Sequence, residues 1–224
     1  WGAYVTAGQR CSGTAVALIE RGVFPALRDR LVRQLDGVTV GDPLTDGVFM
    51  GPLISAQARE RYLQTLREAE RAGIEALGPT RSATLAQQGA YVVPSLHWVD
   101  RPRGSAYESE ELFGPDLALV EVDDLDHAIA LANASPYGLS ASVFTRDPAR
   151  FEHAFAELRY GCVNWNAPTC GASSRLPFGG TRHSGNQRPA ALFSTLYSAY
   201  PVACLQGSLQ LDTAGISPGF RLLS

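Results

Sequence analysis

Thr14-Ala15-Val16-Ala17-Leu18-Ile19 opens a continuous apolar run. After the turn at Gly22 the chain carries Val23, Leu27, Leu31 and Leu35 four residues apart, with arginines between them. An unbroken apolar hexamer matches a strand buried on both faces, and the four-residue spacing marks the apolar stripe of an amphipathic helix. The same order returns further along. Asp116 to Val122 predicts a strand, and Asp124 to Asn133 a helix whose acidic first turn suits the helix dipole. Leu139 to Phe144 predicts another strand, Asp147-Pro148 opens a helix with proline at its first position, and Cys162 to Asn166 predicts a strand again. Strands alternating with helices pair in parallel through crossover connections. The reading is an α/β protein, a three-layer αβα sandwich around a mostly parallel sheet.

The intervening segments fit around this frame. Gly41-Asp-Pro-Leu44 is a turn, and Ser55 caps a helix predicted to run to about Ala72. Gly89 to Val99 is strand-like, but Pro94 interrupts it, which predicts an edge strand or a bulge. Tyr197 to Leu205 is a late β-prone run, and beyond Gly207 the sequence is polar and spaced by Gly and Pro. The expected division is a thiol-bearing domain over 1–195 and a strand with an extended tail over 196–224. With 45% hydrophobic and 18% charged residues, the 224-residue chain has the composition of an ordinary globular protein. A formal charge of −3 offers no basic footprint for nucleic acid and no polybasic patch for a membrane, and no apolar run has spanning length. All 19 positive residues are arginine, which excludes lysine Schiff-base chemistry and a phosphate-binding P-loop lysine. The four histidines and four cysteines lack metal-ligand spacing, so no metal is expected, and reduced thiols point to a cytoplasmic setting. The single methionine is Met50, and the expectation is a piece of something longer.

Three stretches carry chemistry. Ala7-Gly8-Gln9-Arg10-Cys11-Ser12-Gly13 places a cysteine between glycines and beside an arginine, where a guanidinium and free backbone N–H groups favour a thiolate. The plain alternative is a small buried hydrophobe. Glu110-Glu111-Leu-Phe113-Gly-Pro115 sets carboxylates beside an aromatic ring at a turn just before a strand; it reads either as a ribose and ring platform or as a solvated acidic turn. Gly161-Cys-Val-Asn-Trp-Asn166 is followed by a long loop of small residues to Pro177-Phe178-Gly-Gly180 and Ser184-Gly185, the pattern of a binding loop or of a plain connector.

Taken in this order, Gly8-Gln-Arg-Cys11, Glu111-Leu-Phe-Gly-Pro115 and Asn166 through Gly185 resemble the motifs of the aldehyde dehydrogenase superfamily, over nearly the whole chain to about Leu205. Asn164-Trp-Asn166 with Pro168, Ser184-Gly-Asn-Gln-Arg-Pro189 and the tail Ser208-Leu-Gln-Leu211 are similar to the branch that oxidises a succinylated glutamate semialdehyde in arginine catabolism. The resemblance implies a catalytic half with Cys11 as nucleophile and Gly8 and Gln9 shaping its loop. It further implies that Glu111 and Phe113 hold the nicotinamide end of NAD, with NADP left open. Asn166 and Phe178 would face a small aldehyde substrate. It implies a homo-oligomer, dimer or tetramer, formed through the last strand, with no nucleic-acid or membrane partner. The dinucleotide-binding domain, an oxyanion asparagine and the general-base glutamate of the family lie N-terminal to the cysteine, and only ten residues precede Cys11 here.

For a substrate bearing carboxylates, arginine is the natural reader because its planar fork binds a carboxylate through two parallel hydrogen bonds. Arg10 beside the nucleophile and Arg175 in the 166–180 loop are the candidates, with Ser173 and Ser174 as added donors. Two other readings stand beside the enzyme half. One is a non-catalytic fragment or partner subunit that keeps the fold. The other is a cysteine hydrolase, which needs a histidine at Cys11; the nearest in sequence is His97.

Overall fold

A computed structural model describes residues 1–78, 89–102 and 104–207. Its centre is a four-stranded sheet. β1 (Val16–Glu20) is followed by α1 (Phe24–Leu35), α2 (Ala56–Arg71), a two-residue β2 (Glu75–Ala76), β3 (Ser95–Trp98), the short α3 (Ala106–Ser109) and β4 (Asp116–Val122). The strand order is β1-β4-β3-β2; β4 runs parallel to both β1 and β3, and only β2 is antiparallel.

The pleat of β4 sorts its side chains to two faces. Leu117 and Leu119 pack with Ile19, Leu96 and the Phe24 and Leu35 of α1. Ala118 packs with Ala69 of α2, Ile74, Val99 and Tyr107 of α3, joined by Val120. Alternate residues of one strand thus meet helices on opposite sides, which makes three layers. The helix starts follow the sequence closely. Ser55 accepts a hydrogen bond from Ala58 N at 3.0 Å, and Asp124 caps α4 (Leu125–Ala134) through His127 N. Asp147 caps α5 (Pro148–Glu157), with Pro148 in its first turn.

The C-terminal part is built from smaller pairs: β5 (Tyr137–Gly138), β6 (Ser140–Val143), β7 (Cys162–Trp165), β8 (Pro177–Phe178), β9 (Thr181–Arg182), β10 (Ala190–Ala191) and the helical turn α6 (Ser194–Tyr197). β6 and β7 pair in parallel, whereas β5 with β9 and β8 with β10 are antiparallel. Asn133, Arg159 and Arg182 tie this part together: Arg182 Nη1 donates to Asn133 O at 2.8 Å, and Arg159 N to Asn133 Oδ1 at 2.9 Å.

Three sequence expectations are corrected. β1 is not buried on both faces: it lies at the edge of the four-stranded sheet, and Val16 is half exposed because a single neighbouring strand covers it. β3 is not an edge strand; it is interior, and Pro94 precedes its first ladder residue, so the missing N–H costs no pairing. The run from Tyr197 to Leu205 forms no strand. After α6 it continues without a ladder, with Tyr200, Val202 and Leu205 almost fully exposed, because it lies against no neighbouring strand among the described residues. The tail beyond Gly207, including Ser208 to Leu211, lies outside the described residues.

Candidate functional site

The loop that carries Cys11 is tightly wound. Val5–Gly8 makes one tight turn in which Thr6, Ala7 and Gly8 all adopt left-handed backbone, with φ of 54°, 54° and 68°. For a β-branched residue such as Thr6 this conformation costs roughly 1–2 kcal/mol, so surrounding contacts must hold it. Gln9 Oε1 accepts from Ile54 N at 2.9 Å, and Gly13 N donates to Arg10 O at 2.9 Å, closing the turn that presents Cys11 at the surface. Among the described residues the Cys11 N–H donates to no protein acceptor, which leaves it available to an incoming oxyanion. The Arg10 guanidinium is tied back to the preceding turn: its Nε donates to Thr6 Oγ1 at 3.0 Å.

The acidic turn lies directly against this loop. A Cβ built on Gly8 would fall within the van der Waals shell of the Gly114 carbonyl and 2.8 Å from Pro115 N. Ala7 and Leu112 share one small core with Met50, Leu53, Tyr62 and Val92, welding loop and turn together. Phe113, held at φ 51°, stays partly exposed, and the Glu111 carboxylate reaches no protein partner among the described residues. A free carboxylate and an open ring face beside a nucleophile loop fit the ribose and nicotinamide end of a dinucleotide.

Behind the turn is a buried polar network that the sequence reading missed. Asp116 accepts from Ser95 Oγ at 2.5 Å, His97 Nδ1 at 2.7 Å and Tyr107 Oη at 2.7 Å. The Tyr62 hydroxyl lies 2.7 Å from Ser95 Oγ and 3.2 Å from Pro115 O, and Tyr4 Oη donates to Ser95 O at 3.0 Å. Burial first, and the Asp116 charge second, push the Tyr4, Tyr62 and Tyr107 phenols well above their ordinary value. His97 is therefore committed to Asp116 rather than to Cys11, which removes the support for a cysteine hydrolase. The only hint in the sequence is a polar Asp116 and His97 within otherwise apolar strands.

The long loop is stapled to the nucleophile from the other side. Thr169 Oγ1 donates to Ser12 O at 2.7 Å, Thr14 Oγ1 lies 2.8 Å from Thr169 Oγ1, and the buried Cys170 thiol lies 3.2 Å from the same Ser12 carbonyl. Asn166 stands at φ 49° with its amide spent on the backbone: Oδ1 accepts from Thr145 N at 3.0 Å and Nδ2 donates to Thr145 O at 2.9 Å. These bonds fix the turn after β7, and Asn166 does not line the cleft at Cys11. Ser173 Oγ accepts from Arg175 N at 3.2 Å; Ser173, Ser174 and Arg175 are exposed and do not line the cleft at Cys11.

That cleft, about 370 Å³, has Cys11 at one side and Phe178, Leu139, Pro189 and Ala190 as its apolar wall. Gly179 and Gly180 add backbone, and Ser184, Asn186 and Arg188 supply the polar groups. Of the expected substrate residues, Phe178 alone lines it with Cys11. Ser184, Asn186 and Arg188 belong to a stretch that the sequence singles out, but not for contact with substrate. Cys162 is half-buried, and Cys204, expected inside a strand, is exposed.

The profile of the Aldehyde dehydrogenase family matches residues 1–197, most of the chain and all three stretches. The chain belongs to the aldehyde dehydrogenase family. It is 40% identical to N-succinylglutamate 5-semialdehyde dehydrogenase 1 of Caulobacter vibrioides, over 98% of this chain and 44% of that protein. It is 37% identical to N-succinylglutamate 5-semialdehyde dehydrogenase of Novosphingobium aromaticivorans, over 99% of this chain and 46% of the relative. The chain thus spans a little under half the length of the curated relatives it matches. Among solved aldehyde dehydrogenases, a variant of aldehyde dehydrogenase C from Pseudomonas syringae, complexed with NAD+ and octanal, superposes with a TM-score of 0.78 at 27% identity, covering 86% of this chain and 39% of that one. Aldehyde dehydrogenase 21 from Physcomitrella patens, in complex with the reaction product succinate, gives 0.79 at 25% identity, covering 86% and 39%. Among the described residues no helix is long and apolar enough to cross a membrane, and no three His, Cys, Asp or Glu side chains gather into a metal site.

Proposed function

We propose that this chain is the thiol-bearing half of a NAD(P)-dependent dehydrogenase that oxidises a carboxylate-bearing semialdehyde, of which N-succinylglutamate 5-semialdehyde is the best-supported example, to the acid. The observation that carries the reading is the exposed Cys11, seated at an apolar cleft and backed by a turn that offers a free carboxylate and an aromatic ring. The family match and the names of the relatives support it. The Cys11 thiolate adds to the aldehyde carbon, and the C=O pair moves onto oxygen, where the Cys11 N–H receives it. Glu111 and Phe113 would hold the ribose and ring end of the nicotinamide nucleotide, and the chemistry that group supplies when bound is acceptance of a hydride. Loss of the hydride leaves a Cys11 thioester; water then attacks it, the C–S bond breaks and the acid departs.

No Asp, Glu or His lines the cleft among the described residues, so the base that activates this water comes from outside them. The relatives' greater length gives room for that base and for the rest of the cofactor site. The exposed apolar run at Tyr200, Val202 and Leu205, which makes no ladder within this chain, would be covered by a second copy of the protein. The test is reduced-nicotinamide formation by the full-length protein with this semialdehyde, in wild type and Cys11→Ala. Turnover in wild type and its loss in the variant support the reading; undiminished turnover in Cys11→Ala overturns it. The 224-residue chain by itself is expected to show no turnover.

A further inference from the structure

We infer that Arg188 is the carboxylate reader of the Cys11 cleft. The inference rests on the proposed oxidation of a carboxylated aldehyde and names the residue that selects it. Arg188 is the only charged residue lining the cleft, and its guanidinium has no hydrogen-bond or ion-pair partner among the described residues. The two arginines that the sequence favours are placed otherwise. Arg10 bonds back to Thr6, and Arg175 stands exposed beyond the lining.

The loop that carries Arg188 is a fixed part. β8 and β10 pair as Phe178 with Ala190 and Pro177 with Ala191, closing residues 179–189 into a pinned loop. Within it Arg188 N donates to Asn186 Oδ1 at 3.0 Å, and Gln187 takes a left-handed φ of 64°. A Cβ on Gly179 would lie 3.0 Å from Pro189 Cα, so the two arms of the loop touch. A cation carried on a pinned loop loses little backbone freedom when it binds an anion, which is where much of the gain from a bidentate contact is otherwise spent.

The wall chemistry matches a particular ligand shape. The lining combines the Cys11 thiol, an apolar wall of Phe178, Leu139 and Pro189, and a polar group of Ser184, Asn186 and the cationic Arg188. An aldehyde with a methylene chain and a terminal carboxylate presents a complementary group to each of these three. A cleft of about 370 Å³ is within the range that small-molecule sites occupy. An uncharged aldehyde fills the first two pieces and leaves Arg188 in water.

Two measurements on the full-length protein test this. The first is the rate of Cys11 alkylation by iodoacetamide with succinate or its neutral diamide, succinamide, present. Succinate is expected to slow labelling in wild type and succinamide to leave it unchanged. Arg188→Ala is expected to lose the protection, and Arg188→Lys to keep part of it. The second is kcat/KM for N-succinylglutamate semialdehyde against an uncharged aliphatic aldehyde. Arg188→Ala is expected to lose about ten- to a hundredfold on the first and about threefold or less on the second, the effect of one charge-assisted contact. Equal losses on both substrates, retained succinate protection in Arg188→Ala, or a selectivity loss that appears instead in Arg10→Ala or Arg175→Ala would each overturn the assignment. Thermal midpoints of the variants separate a lost contact from a lost fold, and a Lys variant that folds and regains selectivity supports the charge. Protection by succinate that depends on Arg188 in a protein that oxidises no aldehyde keeps the anion subsite and sinks the dehydrogenase reading.

Discussion

Gly8→Ala is the sharpest probe of how the site is assembled, because one methyl group would enter the contact between the nucleophile loop and the acidic turn. Gly8 sits at φ 68°, so any L side chain there costs roughly 1–2 kcal/mol. Its new Cβ would also fall 2.8 Å from Pro115 N and closer still to the Gly114 carbonyl, atoms of rigid backbone that cannot rotate aside. Neither can Gly114 retreat, since a Cβ on it would lie 2.9 Å from Tyr62 Cε2 and the Tyr62 ring is fully buried. Overpacking of this kind costs about 1–3 kcal/mol, which makes the total about 2–5 kcal/mol. At about 2–4 °C per kcal/mol for a domain of this size, the thermal midpoint should fall by at least about 4 °C. The loop and turn should also part, so that KM for the nicotinamide nucleotide rises more than KM for the aldehyde in the full-length enzyme. Gly8→Asn separates the two costs: asparagine tolerates the left-handed backbone but brings the same Cβ. A midpoint within about 1 °C of wild type with an unchanged nucleotide KM would refute the claim that this close approach holds the site together.

Two further outcomes are expected. The phenols of Tyr4, Tyr62 and Tyr107 are all raised by burial and by Asp116, so their contribution to stability is intact below pH about 10, where unfolded tyrosine ionises, and is lost as pH rises above it. Three such groups should steepen the loss to about 4 kcal/mol per pH unit, read from urea midpoints on either side of pH about 10, and Tyr62→Phe should remove about a third of the slope; a slope unchanged across that value would count against the burial argument. Removal of residues 198–224 from the full-length protein should yield a smaller particle by light scattering with a nearly unchanged thermal midpoint, because this run adds nothing to the described core; the same particle size would show that the apolar run is not the assembly element.

The sequence by itself determined the layer order and set Cys11 in a glycine-flanked loop, which the structure leaves exposed. Local signals suffice for elements whose stability is local: Ser55, Asp124 and Asp147 cap their helices where the capping pattern places them, and β4 occupies Asp116–Val122 because its alternating faces are written in its own side chains. The three motif stretches were legible for the same reason, each being contiguous in the chain. What only the tertiary structure decided depends on pairing between distant segments. Whether β3 is edge or interior depends on where β2 and β4 lie, and the 197–205 run has no partner to make it a strand. The Asn166 amide is held at Thr145, 21 residues away, because that backbone offered both a donor and an acceptor. The presence of Arg188, and not of Arg10 or Arg175, in the lining of the Cys11 cleft has the same physical cause. The β8–β10 pairing closes the loop that carries residue 188 into the lining of that cleft, a placement set by ladder hydrogen bonds across the loop rather than by any pattern within it.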